Sequence, residues 1–485
     1  MGEVYQKLAK LGVSDYYPYH MPGHKRNLHG DLPVQWVKAD ITEIDGFDNL
    51  HQAEGVLLKA QKRASVLCHS DETYFLVNGS TCGILSAVSA SIPFGGSILM
   101  ARNCHKAAYH AAYLRQLSIH YLYPEINKIN ISEPVTASLV EAGLDAYPQC
   151  KAVLIVSPTY EGRIADVAAI AQVVHKRDAI LIVDEAHGAH LGFSPLFAQN
   201  SNQCGADLVI QSVHKTLPAL TQSAVLHVNS DRVNRERLQR FLRIYQTSSP
   251  SYPLMAGIDN AMEIIEKKGV ALFENFYRRF TAMTDTLSKC QHLRILCGDR
   301  QDIGKLVIDT STTNISGSEL YQILLQRYHL QPEMAAPDYC LAMFTVADTP
   351  DGYERMTRAL LEIDKDLVSK KTENPPARAD ADHNKKEQRQ LSEIVSPCAL
   401  EKQEKVKLSE AWDSDGEMVP LEQAIGRKAG DFVNLYPPGI PLLVPGEPMT
   451  GLLCEELTKS LNQGLNVQGI IKKDNKLWVK CLIER

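Results

Sequence analysis

The chain has 485 residues, a length that accommodates about three domains. Hydrophobic residues make up 44% and charged residues 22%, the balance of a globular protein with a sizeable core, which excludes a disordered or fibrous chain. The 51 Lys and Arg against 57 Asp and Glu leave a formal charge of −6, so there is no cationic excess to hold a nucleic-acid backbone or an anionic membrane. Eleven cysteines, an odd number with no CxxC pair, argue against a disulfide framework and a structural zinc site and point to a reducing compartment. The first residues, MGEVYQKLAKLG, lack the apolar stretch of a signal peptide. The uncharged stretch 73–101 is broken by serines, Pro93, Gly95 and Gly96, which suits a buried helix and strand better than a membrane span. A cytoplasmic protein with no membrane partner is expected.

Taken in chain order, short apolar runs alternate with helical patterns from residue 73 to 228. The runs are TYFLV (73–77), SILMA (97–101), SIHYLY (118–123), AVLIV (152–156), AILIVD (179–184), ADLVIQS (206–212) and AVLHV (224–228). Apolar runs rich in Val and Ile without strict alternation are what strands buried on both faces look like. The alternation predicts an α/β domain over 1–255 with a mainly parallel seven-stranded sheet, whose ligands bind at strand carboxyl ends. Residues 256–368 read as a small α+β domain: long helical patterns, strand candidates LRILCG and KLVIDT, a helix candidate SELYQILLQRYH and a strand candidate CLAMFTVA. Residues 369–393 are charge-dense and nearly devoid of apolar residues, the composition of a linker. A C-terminal α+β domain is expected over 394–485, with Pro and Gly punctuation suggesting turns around a site or interface.

Four strand ends carry chemistry. Lys215 in SVHK follows ADLVIQS, where desolvation would lower its pKa and make it a nucleophile or Schiff-base former; it is otherwise a surface lysine. Asp184 ends AILIVD and must find a cation, a helix N-terminus, a metal or a protonated ring nitrogen. His187 and His190 stand close by, but no second cluster completes the three or four ligands a metal needs, so no metal is expected. Gly79, Ser80 and Thr81 open a helix candidate, where free N–H groups at the positive dipole end cradle a phosphate or serve as an ordinary cap. His105, after SILMA, stacks on a flat ring or hydrogen-bonds within its loop. A phosphate cradle, a flat-ring partner, an acid for a ring nitrogen and a Schiff-base lysine, each after a strand of one sheet, together describe a site for pyridoxal 5'-phosphate.

The segments MPGHKRN (21–27), DNLH (48–51), NGST (78–81), RNCHK (102–106), SPTY (157–160), DEAHG (184–188), SVHK with TQS (212–215, 221–223) and YPPGIPLLVPGE (436–447) resemble the bacterial ornithine/lysine/arginine decarboxylases, in order along nearly the whole chain, and in particular their short, biosynthetic, arginine-using form. The resemblance implies the aspartate-aminotransferase-type fold (fold type I). It implies Lys215 as the Schiff-base lysine, Asp184 as partner of the pyridine nitrogen and His105 stacked on the ring. Ser80, Thr81, Ser212 and His214 are implied around the phosphate, with Ala186 and His187 lining the ring; some relatives carry Trp where this chain has His187. Val213 departs from the small or hydroxyl residue expected there. The family builds its active sites at a dimer interface, making Thr247, Ser248 and Ser249 candidate contacts from a neighbouring chain. Proton return to Cα falls to Lys215 or His214. Glu43, Asp45, Asp48 and Glu447 are candidate acceptors for the distal cation of a basic amino acid substrate, the first three otherwise belonging to a solvated acidic loop.

The resulting expectation is decarboxylation of a basic amino acid, arginine first, then lysine or ornithine, to a polyamine precursor by a homodimer or larger homo-oligomer. An aminotransferase or C–S lyase of the same fold is the competing reading; an aminotransferase would need an arginine such as Arg355 or Arg358 for the α-carboxylate. A non-catalytic regulatory paralogue is the third, and the intact Lys215 and Asp184 speak against it.

Overall fold

A computed structural model describes residues 15–19, 43, 47–368, 406–435, 439–462, 464–474 and 476–483. The motif at 21–27, Asp45, the proposed linker 369–393 and residues 436–438 lie outside the described residues. All seven apolar runs are strands, with ends within two residues of those read from the sequence. They are β1 (Glu72–Leu76), β2 (Ser97–Ala101), β3 (Ser118–Leu122), β4 (Ala152–Val156), β5 (Ile180–Asp184), β6 (Leu208–Gln211) and β7 (Ala224–Val228). They form one mostly parallel sheet in the order β1-β7-β6-β5-β4-β2-β3. β2 runs parallel to β3 and to β4, whereas β7 is antiparallel to both β1 and β6. Burial accounts for the unbroken hydrophobic runs: every residue of β6 and β7 is buried, and four of five in β5.

The described residues divide into two compact units. Among the described residues, one takes those up to 86, 157–168 and 183–368, the other 87–156, 169–182 and 406–483. The first unit contains the helix Tyr252–Leu287, 36 residues long, about 54 Å at 1.5 Å per residue. Its buried positions include Met255, Ile258, Met262, Ile265, Gly269, Phe273, Phe276, Phe280, Met283 and Leu287, a three-and-four spacing that puts one apolar stripe against the core. Because Pro253 sits in its first turn, where a missing N–H costs nothing, the helix starts there and runs unbroken through 255/256, the division expected between two domains. In the same unit a four-stranded sheet contains Lys305–Asp309 and Tyr339–Met343, paired antiparallel. Of the candidate LRILCG only Arg294–Ile295 is strand.

In the second unit, Gly416–Pro420, Ile470–Lys473 and Lys476–Leu482 form an antiparallel sheet, and Val433–Leu435, Ile440–Leu443 and Val467–Gln468 a second. Val419, Leu421, Val433, Leu443, Leu457 and Val479 make their core. The described cysteines are free thiols, and no described helix is long and apolar enough to cross a membrane.

Candidate active site

β1 and β6 are each antiparallel to β7, so they run the same way and leave the sheet at the same edge. β7 enters at that edge. Its approach joins the two exits: Gly79 N–H donates to Gln222 O at 3.0 Å, and His214 N–H to Ser223 O at 3.3 Å. Sheet direction alone thus brings NGST, SVHK and TQS together.

Beyond β1 the helix Gly79–Ser91 begins on Gly79, whose φ of +72° is a conformation other residues adopt at a cost. Beyond β6 a single turn, Val213–Thr216, carries His214 and Lys215. Ser212 occupies the N-cap position of that turn yet makes no capping bond; its Oγ is buried without a hydrogen-bond partner, as is Thr216 Oγ1. A buried hydroxyl left unpaired costs about 1–3 kcal/mol, so such atoms mark a place for a ligand rich in acceptors. Val213, the departure from the family pattern, is fully buried in the core.

Asp184 at the end of β5 is buried. Its Oδ1 accepts from Ala186 N–H at 3.1 Å. Burial pushes its carboxyl up, against the nearby Lys215 charge and the Ala186 N–H. Desolvation likewise lowers Lys215, opposed by Asp184 and Glu333. Next in the chain, Glu185 has a different task. Its Oε1 accepts from Ser201 N–H at 2.9 Å and Ser201 Oγ–H at 2.6 Å, and its Oε2 from Gln211 Nε2 at 2.6 Å. It fastens the strand-end loop, and Gly188 is required because a Cβ there would lie 2.6 Å from Glu185 Cγ and 2.8 Å from Pro158 Cδ.

Lys215 Nζ lies 2.9 Å from His187 Nε2. The other face of that ring holds residues the sequence reading missed. Lys305 Nζ is 2.7 Å from His187 Nδ1, Tyr160 packs edge-on against the imidazole at 4.7 Å between centroids, and the Tyr160 hydroxyl donates to Glu333. Lys305 is 2% exposed. In the sequence it opens KLVIDT and looks like a solvated strand end; only the pairing of the small sheet turns it inward.

His105 caps the helix Lys106–Leu114, its Nδ1 accepting from Ala107 N–H at 3.2 Å, which sets the neutral ring's proton on Nε2. Thr247, Ser248 and Ser249 are exposed; Thr247 O pairs with His51 Nε2 at 2.9 Å. Two of the acidic candidates turn out to be engaged within the protein. Asp48 accepts four backbone N–H groups, from Asn49, Glu54, Gly55 and Leu57, the work of a loop organiser. Glu447 Oε2 is 2.9 Å from Arg102 Nη2 and accepts Val444 N–H at 3.0 Å, so the charge expected to meet a substrate cation is compensated inside the second unit. Glu43 differs, with Oε1 buried and unpartnered.

Residues 4–306 match the Orn/Lys/Arg decarboxylase major domain and 388–458 the C-terminal domain of the same family. The chain belongs to the Orn/Lys/Arg decarboxylase family. It is 29% identical to the arginine decarboxylase of Bacillus subtilis over 96% of this chain and 95% of that protein. It is 30% identical to that of Bacillus anthracis over 93% and 91%. Among solved structures, lysine decarboxylase A from Pseudomonas aeruginosa superposes with a TM-score of 0.76 at 18% identity, covering 99% of this chain and 76% of that one. The E. coli constitutive lysine decarboxylase gives 0.73 at 19%, covering 92% and 76%. The fold is fold type I, and this chain is a decarboxylase.

The residues present fit the cofactor that the family resemblance implies. The helix N-terminus at Gly79 with the orphaned Ser212 and Thr216 hydroxyls suits a phosphate, buried Asp184 suits a protonated ring nitrogen, and Lys215 is a desolvated amine.

Proposed function

We propose that this decarboxylase removes the α-carboxylate of a basic amino acid, arginine first, using pyridoxal 5'-phosphate held by Lys215. The carrying observation is buried Asp184 and half-buried Lys215, following adjacent strands β5 and β6, each with its pKa moved by desolvation. When bound, pyridoxal phosphate supplies the electron sink that takes up the Cα–carboxylate bond pair as CO2 leaves. The chain supplies the rest. Gly79, Ser80, Thr81 and Ser212 hold the phosphate, and Ala186 and His187 line the ring. Asp184, ionised by a cationic neighbour that repays its burial, keeps the proton on the pyridine nitrogen.

Return of a proton to Cα is assigned to Lys215. His214 Nδ1 lies 2.8 Å from Ser223 O, an acceptor only, so the Nδ1 proton is held by the backbone. Of the acidic candidates that the structure describes, Glu43, with its unpartnered Oε1, suits the distal cation.

Arginine is preferred because relatives named arginine decarboxylase align over more than nine-tenths of the chain at 29% and 30% identity. Those named lysine decarboxylase align over 54% and 47% at 23% and 25%. A role in making polyamine precursors, a homodimer in which Thr247, Ser248 and Ser249 reach a neighbouring site, and a cytoplasmic location complete the reading. The test is to incubate the protein and pyridoxal phosphate with arginine, lysine and ornithine separately, measuring CO2 and identifying the amine. Agmatine with equimolar CO2 is expected. A keto acid would move the assignment to an aminotransferase.

A further inference from the structure

His187 stands between two lysines, with Lys215 Nζ at 2.9 Å from Nε2 and Lys305 Nζ at 2.7 Å from Nδ1. An ammonium offers donors and no acceptor, whereas a neutral imidazole has one N–H and one lone pair. If both lysines were charged, both ring nitrogens would have to accept, which a neutral ring cannot do. An imidazolium would need both amines neutral. With both hydrogen bonds made, at most one of the two lysines is an ammonium.

The surroundings decide which. Lys305 faces Asp302, Glu333 and Glu161, opposed by the nearby Lys215 amine, and its Nζ lies 5.5 Å from the centroid of the Tyr160 ring, a face that attracts cations. Asp302 is a committed anion: its Oδ1 lies 2.9 Å from His190 Nε2 and accepts Gly304 N–H at 3.0 Å. Burial would raise its carboxyl, but His190 and Lys305 together hold it below the ordinary range. Glu161, deep in the same cluster, accepts hydrogen bonds from the Tyr339 hydroxyl at 2.9 Å and the Thr159 hydroxyl at 3.3 Å, while burial pushes its carboxyl up. Lys215 faces Asp184 and shares Glu333. Asp184 accepts a single backbone N–H, from Ala186 at 3.1 Å, where Asp302 has both His190 and Gly304. The proton therefore belongs on Lys305, which donates to Nδ1. This fixes the tautomer with hydrogen on Nε2, pointing at the lone pair of Lys215.

We infer that Lys305 is a positioning residue that, through His187, holds Lys215 as the neutral, nucleophilic amine. The inference rests on the reading of Lys215 as the cofactor lysine. Desolvation acts the same way on both amines, bringing Lys305 down to about 8, so the charge balance between the two is open to the hydrogen-bonding network.

Trace acetic anhydride acylates only neutral amines. Competitive labelling of the cofactor-free protein across neutral and alkaline pH, with mass-spectrometric counting of the Lys215 peptide, therefore gives the midpoint of Lys215 without any turnover. In Lys305→Met that midpoint should rise by about one pH unit, cutting labelling near neutrality about tenfold. Lys305→Gln, a polar neutral replacement for a site where Met fails to fold, should move it in the same direction. Lys305→Arg keeps the charge and should leave the midpoint near wild type. An unmoved midpoint in folded Lys305→Met or Lys305→Gln would overturn the inference, as would an equal rise in Lys305→Arg. Capture of pyridoxal phosphate by the wild-type apoprotein, followed by borohydride reduction and peptide mapping, tests the underlying reading separately. No pyridoxyl label on Lys215 would end that reading and leave the labelling midpoints to judge the Lys305 coupling.

Discussion

Two adjacent carboxylates show how far partners, and not residue type, set behaviour. Asp184 has one backbone N–H and the charge of Lys215; Asp184→Asn keeps the hydrogen-bond acceptor but no longer favours a protonated pyridine. Pyridoxal phosphate should still bind while kcat falls about a hundredfold, some 3 kcal/mol of transition-state stabilisation. Near-normal turnover in that variant would remove Asp184 from the chemistry. Glu185, by contrast, is buried against Ser201 and Gln211, and desolvation raises its carboxyl from 4.5 to about 7. Between those values the folded protein holds a proton that the unfolded chain has lost. Stability from this group is full below pH 4.5 and declines as pH rises towards 7, by up to roughly 3 kcal/mol. Urea unfolding of wild type and Glu185→Gln at several pH values should show that decline in wild type and its loss in the variant.

At the scale of elements, the same glutamate ends a polar row that crosses the sheet. Gln211 on β6 donates to Glu185 and its Oε1 lies 3.1 Å from His227 Nε2 on β7, whose Nδ1 lies 2.8 Å from Thr73 Oγ1 on β1. The row pins the register of strands that are otherwise apolar throughout. His227 is enclosed as a neutral ring, and burial lowers it from 6.5 to about 3. Here the sign reverses: the contribution is intact above pH 6.5 and is lost as pH falls towards 3, because the unfolded histidine takes up the proton first. His227→Gln should therefore flatten the acid side of the stability curve, read by urea midpoints at pH 4.5 and 6.5. An unchanged acid slope would show that His227 titrates normally. The strands and four strand-end motifs were legible in the sequence because unbroken Val and Ile runs have one physical reading and the motifs sit where those runs stop. The row was not, since Gln211 and His227 are single polar letters within apolar runs. Lys305 and Glu333 were hidden for a related reason. They reach His187 and Tyr160 from elements more than a hundred residues away, and nothing local distinguishes them from surface charges.

At the scale of the whole molecule, the second unit is held by contacts of extreme sequence separation. Tyr113 donates to Asp413 at 2.5 Å, Trp412 packs against His110 and Tyr113, and Arg102 binds Glu447 across 345 positions. Arg102 directly follows β2. It also donates to Pro441 O, Leu442 O at 3.2 Å and the Tyr109 hydroxyl at 3.1 Å, with its guanidinium 5.5 Å from the Tyr121 ring centroid. The Glu447 and Arg102 side chains are 12% and 14% exposed, so water does little to screen them. The VPGE turn was visible in the sequence as an acid framed by Pro and Gly, but its partner was not. Glu447→Ala leaves the Arg102 charge buried without its anion, a change that costs about 3–5 kcal/mol when the pair is enclosed. Glu447→Gln keeps an acceptor for Arg102 and Val444 N–H and should cost less than half of that. The expected outcome is a clear fall in thermal midpoint for Glu447→Ala, faster proteolysis of the C-terminal segment, and kcat/KM per folded molecule within about twofold of wild type, since 1.4 kcal/mol would already be tenfold. An unshifted midpoint combined with a large fall in kcat/KM for basic amino acids would reverse the assignment, giving Glu447 to the substrate and leaving Arg102 as its orienting partner.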